Sequence, residues 1–180
     1  MACNLSSGRI LDCKEDIGGI QEVLFADWRI LNGSITLDAD EQITDFDEAT
    51  LYRYELKGGG NSFNQEINAN GDAGTVFVTQ TLVIQLNNLT AAYRKEMKKM
   101  IRNRRLVIFV RDNNDNIAAM GLDAGAEVSA GSFANGANRG DMAGTTLTFT
   151  AECRNQANFV EPFTTVPFDN IANATVSPAY

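Results

Sequence analysis

The stretch from Thr75 to Leu86 alternates with a two-residue period. Its even positions are Val76, Val78, Gln80, Leu82, Ile84 and Leu86. Its odd positions are mostly polar, Thr75, Thr79, Thr81 and Gln85, with Phe77 and Val83 as exceptions. A two-residue period sends successive side chains to opposite faces of a strand, so one face is built for a core and the other for water. At about 3.3 Å per residue this strand approaches 40 Å, which is long for a domain of this size.

Other segments share the period. Thr50 to Leu56 sets Tyr52, Tyr54 and Leu56 against Leu51, Arg53 and Glu55. Asn61 to Ile67 sets Phe63, Gln65 and Ile67 against Ser62, Asn64 and Glu66. Thr145 to Ala151 places Leu147, Phe149 and Ala151 inside and Thr146, Thr148 and Thr150 outside. Ile20 to Ile30 reads as a first strand, closed by the Asn32-Gly33 turn. Leu106 to Val110 is apolar on both faces and reads as a central strand. Asp112 to Asn116 is a turn, and Ile117 to Met120 the returning strand.

One helix is expected, from about residue 89 to 102, capped by Asn88 or Thr90. Leu89, Tyr93, Met97, Met100 and Ile101 form its apolar stripe. The fold class is therefore mainly β, an antiparallel sandwich or barrel with one flanking helix. Residues 1–154 are read as a single β-rich domain. Residues 121–144 hold six of the fifteen glycines and read as flexible surface. Residues 155–180 have no clear period and read as an extended C-terminal arm.

Composition removes several functions. The chain has no histidine, the commonest general base, metal ligand and partner of a Ser or Cys nucleophile. No catalytic set, cofactor or metal is expected. Asp38, Asp40, Glu41, Asp45, Asp47 and Glu48 crowd one stretch, but the spacing does not fit an EF-hand and reads as a solvated acidic loop. Gly136 to Gly140 is not followed by Lys-Ser/Thr, so it is no phosphate loop. The N-terminus lacks the basic start and apolar stretch of a secretory signal, and no run is long enough to span a bilayer. Cys3, Cys13 and Cys153 are expected as thiols of a cytoplasmically made protein.

Charge is unevenly placed. Seven of the fifteen basic residues lie between Arg94 and Arg105, with Glu96 the only acid among them. The rest of the chain is strongly acidic, and the whole carries −8. Arg94, Lys95, Lys98, Lys99 and Arg102 fall off the apolar stripe, so the helix shows a basic face outward. That face is open to three readings: a solvated surface, a nucleic-acid handle over 94–105, or a contact with an acidic surface of a neighbouring subunit. Against the second, the helix has a single aromatic, Tyr93, on its core stripe.

The start Met1-Ala2-Cys3-Asn4-Leu5-Ser6-Ser7-Gly8-Arg9, with Cys13-Lys14, Gly18-Gly19-Ile20 and Val23-Leu24-Phe25, resembles structural proteins of tailed bacteriophages. So do Tyr54 to Gly58, Gly121 to Glu127, Gly140 to Gly144 and Thr146 to Glu152. Up to about Glu161 the chain is similar to tail tube subunits. The resemblance implies a β-sandwich with one helix, and hexameric rings stacked into a conduit for DNA. It also implies a non-enzymatic virion protein, assembled in the host cytoplasm. Its partners would be its own copies and other tail proteins, with DNA passing unbound and no membrane contact. Under it, Arg53, Glu55, Ser62, Asn64, Glu66, Thr79 and Thr81 are lumen-facing candidates. Arg94, Lys95, Lys98, Lys99 and Arg102 are inter-subunit candidates. A head, neck or tail-completion protein is the structural alternative, and a nucleic-acid-binding protein the alternative of another class.

Overall fold

The computed structural model describes residues 8–9, 14–57, 59–87 and 90–180. In chain order the elements are β1 (Ile20–Asp27), α1 (Trp28–Leu31), β2 (Thr36–Leu37), β3 (Ile43–Asp45), β4 (Ala49–Glu55), β5 (Ser62–Asn70) and β6 (Thr75–Asn87). Then come α2 (Ala91–Arg102), β7 (Leu106–Asp112), β8 (Ile117–Met120), β9 (Glu127–Ala134), β10 (Gly144–Cys153), β11 (Asn158–Phe159) and β12 (Ala174–Ser177). The fold is mainly β and sandwich-like. One sheet has the order β11-β8-β7-β1-β4-β12, the other β5-β6-β10-β9, and β2-β3 form a small hairpin. No helix among the described residues is long and apolar enough to cross a membrane.

The six-stranded sheet is covered on both faces. Val23, Phe25, Ile108 and Val110 point to one side and meet Leu82, Ile84, Leu147 and Phe149 of the four-stranded sheet, with Met97 and Met100 of α2. Leu24, Ala26, Val107 and Phe109 point to the other and pack a second core with Leu31, Ile43, Phe46, Phe168 and Ile171. A strand buried on both faces must be apolar throughout, which is why Leu106–Val110 has no polar position. It lies between β1 and β8, as its composition predicts.

Four expectations change. The first strand ends at Asp27, whose carboxylate accepts from Arg29 N–H at 2.9 Å and starts the short α1. Trp28 then anchors that turn, donating its indole N–H to the Leu122 carbonyl at 2.9 Å.

The second change concerns α2. Its cap is Thr90, which accepts from Tyr93 N–H. Only Met97 and Met100 of the stripe are buried, Tyr93 is 55% and Ile101 50% exposed, and Leu89 lies outside the described residues. The helix meets the sandwich along one narrow line, so residues a turn away on either side stay in water.

Third, the glycine-rich stretch contains β9, paired along most of β10 from Gly144↔Ala134 to Thr150↔Glu127. Ladder hydrogen bonds need no side chains, and Gly131 lets the backbone lie against Leu147.

Last, residues 155–180, read from sequence as an arm, fold back on their own domain. Val160 bridges Ile43, Phe168 stands edge-on to Phe109 at 5.1 Å, and β12 pairs in parallel with β4. The segment closes the second core, which the six-stranded sheet would otherwise expose. Phe168→Ala is expected to cost about 3–5 kcal/mol, read as a lower urea midpoint, as for other buried aromatics.

Candidate assembly surface

Alternation along the four-stranded sheet turns one set of side chains away from the core. The cross-strand rows on that outer face are Glu66–Thr79–Glu152, Asn64–Thr81–Thr150 and Ser62–Val83–Thr148. Gln85, Thr146 and Ser132 make a further row. Apart from Val83 these side chains are polar, mostly hydroxyls and amides with two carboxylates, and Asn68 beside them donates to the Thr79 hydroxyl at 2.9 Å. The four strands carry Glu66, Glu127 and Glu152 and no lysine or arginine. The face is a polar surface of negative sign.

The two sheets treat their edges differently. The six-stranded sheet ends in two-residue β11 and four-residue β12, so its edges offer little backbone to a further strand. The four-stranded sheet ends in nine-residue β5 and eight-residue β9. Neither strand contains proline or lysine, the usual guards of an edge. Among the described residues no strand pairs with their outer sides. Burial does not hide them either, since almost every residue of β9 is exposed.

These two edges match each other. The strands run antiparallel throughout, and their number is even, so β5 of one copy and β9 of the next would also be antiparallel. Their heights along the sheet differ. The middle of β5, Glu66, is level with Glu152 through Thr79, and the middle of β9, Ala130 and Gly131, is level with Thr148 and Leu147. The offset is therefore about four to five residues, or about 15 Å along the strands, against about 19 Å across four strands. Levelling them requires a strand tilt of about 38°, inside the range of about 35–45° at which sheets close into barrels.

A third feature lies under the β4 end of the six-stranded sheet. The Glu22 carboxylate is buried, its side chain 3% exposed. It accepts from Arg53 Nε at 2.6 Å, Arg111 Nη1 at 2.9 Å and the Tyr180 hydroxyl at 2.7 Å. Arg53 also pairs with Glu55 and lies over the Tyr180 ring, and Arg111 pairs with Asp115 and lies over Phe163. Burial pushes the Glu22 carboxyl up, but the hydrogen bonds from Arg53, Arg111 and Tyr180 outweigh it and hold it below the usual range. Burial and the Glu22 charge push the Tyr180 hydroxyl well up, so it stays a donor.

The structure brings Ser62, Asn64, Glu66, Thr79 and Thr81 together on the outer face of the four-stranded sheet. Arg53 and Glu55 are not with them: they sit on β4 in the other sheet, within the Glu22 network. Their strand alternates in the same way, and no local signal told which sheet it joins. Arg94, Lys95, Lys98, Lys99 and Arg102 are exposed on α2, with Lys99 bridging Glu96 at 2.7 Å and Arg94 lying over Phe133. Sequence reading missed β9, whose Gly, Ala and Ser hide the period, and the Glu22 cluster, whose partners stand up to 158 positions away. Cys153 is buried and free, and burial raises its thiol above the ordinary value, while Cys3 and Cys13 lie outside the described residues.

No family model, curated protein or solved structure matches this chain.

Proposed function

We propose that this chain is a self-assembling structural subunit whose four-stranded sheets join edge to edge into a closed barrel, and that it serves as a tail tube subunit of a tailed bacteriophage. The observation that carries this reading is the pair of long, unguarded edges, β5 and β9, offset by the amount a tilted barrel needs. Single domains avoid such edges, because each is a template for another chain. Here the two are complementary and lie on opposite sides of one sheet. That is a head-to-tail contact, which closes into a ring when the rotation per copy divides a full turn.

The lining follows from the strand pattern. Closing the sheet with its core face outward puts the Thr, Asn and Glu rows on the inside. Such a bore carries negative charge and no cation from its strands, so a phosphate backbone passes without being held. Six copies, the number the resemblance implies, give 24 strands (four per copy) and a backbone diameter of about 46 Å. Side chains about 5 Å deep on each wall leave a bore of about 36 Å, wide enough for a duplex.

Electron microscopy of the purified protein should show rings or tubes of constant bore. Monodisperse monomers at millimolar concentration would overturn the reading. One observation favours a second reading: Tyr93, at the start of the apolar stripe of α2, is 55% exposed, which leaves its ring open to base stacking. Binding of DNA by the monomer, salt-sensitive and lost with Lys95, Lys98 and Lys99 neutralised, would support that reading instead.

A further inference from the structure

Beside the free edge of β9 runs a groove of about 350 Å³, on the core-facing side of the sheet. Its floor and walls include Val128, Gly131 and Phe133 of β9, and Arg94, Lys98 and Ile101 of α2. Phe133 is 51% exposed, so the groove is an apolar surface its own chain leaves open.

At the opposite edge the β5–β6 hairpin extends past the core. Ile67 and Val76 point to the same side as the buried Val78, since Ile67 lies opposite Val78 and Val76 opposite Ala69. Yet Ile67 is 58% and Val76 61% exposed. They are core-facing side chains with no core beneath them.

We infer that the groove between α2 and β9 receives the overhanging β5–β6 hairpin of a second copy, with Ile67 as the inserted side chain. This rests on the edge pairing proposed above and adds the contact that sets its register. Levelling the two strands places Glu66 of one copy opposite Ala130 of the next on the polar face. On the other face Ile67 then falls between Gly131 and Val128, at the mouth of the groove and below Ile101. A one-residue slip would turn Ile67 into the polar face and Glu66 into the groove, so the groove selects the pairing. Pockets for alternate side chains beside a bare edge are the way strand addition gains specificity. Charge agrees: residues 59–87 carry Glu66 and Asp72 and no cation, and the groove carries Arg94 and Lys98 and no acid. In this arrangement α2 acts as the cover that each copy lends to its neighbour's overhang. The narrow contact α2 makes with its own sandwich is then half of its burial.

The test is a disulfide between copies. In a background with Cys3 and Cys13 replaced by serine, Ile67→Cys and Ile101→Cys are combined, and Glu66→Cys and Ala130→Cys form a second double variant that reports the edge pairing itself. Mild oxidation should give covalent ladders from both, and each single variant should give at most dimers. Ile67→Asp should raise the protein concentration needed for assembly by more than tenfold while leaving the circular dichroism spectrum unchanged. Rings that ladder through 66–130 but not through 67–101 overturn the groove and leave the edge pairing standing. Absence of rings and of both ladders in the folded protein overturns the two together.

Discussion

Replacing Glu22 by alanine is expected to lower the free energy of unfolding by about 3–5 kcal/mol, the usual cost of removing one partner from a buried ion pair. The loss is large because two guanidinium groups remain. Arg53 and Arg111 are both mostly covered, with side chains 16% and 17% exposed, and both are aimed at the vacated place. Each keeps one exposed acid, Glu55 or Asp115, which does not replace a buried acceptor. Urea unfolding at neutral pH measures the effect. The same carboxylate gives the protein an acid limit. Its folded pKa is below its ordinary value of 4.5, so the stability it contributes is fully present above that value and is lost as pH falls through the folded one. The urea midpoint should therefore be flat from neutral pH to about 5 and fall below about 4.5. A Glu22→Gln protein, which cannot ionise there, should start lower and fall less.

The second large effect falls on assembly and not on folding. On an edge strand, neighbouring residues point their N–H groups alternately to the partner strand and to the open side. β5 is regular from Ser62 to Asn70, so of Gln65→Pro and Glu66→Pro one removes a bond to β6 and the other a donor on the free edge. The first should unfold more easily, by about 1–3 kcal/mol. The second should stay folded and monomeric, because proline on an outer edge removes the donor a neighbour needs and adds bulk. A loss of about 1.4 kcal/mol at each joint raises the assembly concentration about tenfold, and a ring suffers it at every joint. Sedimentation velocity separates the outcomes. Assembly unchanged in both proteins would remove β5 from the interface.

Much of the sandwich was legible because alternation is a local property. Thr75 to Leu86 and Thr145 to Ala151 could be assigned to strands and to faces from their own residues, and the structure keeps both. Leu106 to Val110 announced a central strand by lacking a polar face. What failed were statements about where a strand goes. Arg53 and Glu55 alternate as cleanly as Asn64 and Glu66, but β4 and β5 part at the glycines near 59 and join different sheets. β9 failed for another reason: its small residues carry no period, and only its ladder with β10 defines it. The segment after residue 155 buries Phe168 and Ile171 without periodicity, because between β11 and β12 it crosses the second core as a loop. Its last contact, from Tyr180 to Glu22, leaves no trace in either neighbourhood of the chain.

That contact sets an order on folding. β1 is made before its neighbours β4 and β7, and it acquires them only as later residues follow. Its one buried acid takes Arg53 and then Arg111 as donors, and the third, Tyr180, comes 158 positions further on. Contacts of such long range slow folding, since loop closure must precede any return. A chain still being made therefore holds an incomplete six-stranded sheet while β5, β6, β9 and β10 are already available for pairing. Under the proposed edge pairing, nascent copies on one message would join their neighbours before their own far core has closed. Synthesis stalled before Tyr180 should reveal this as early, disordered association.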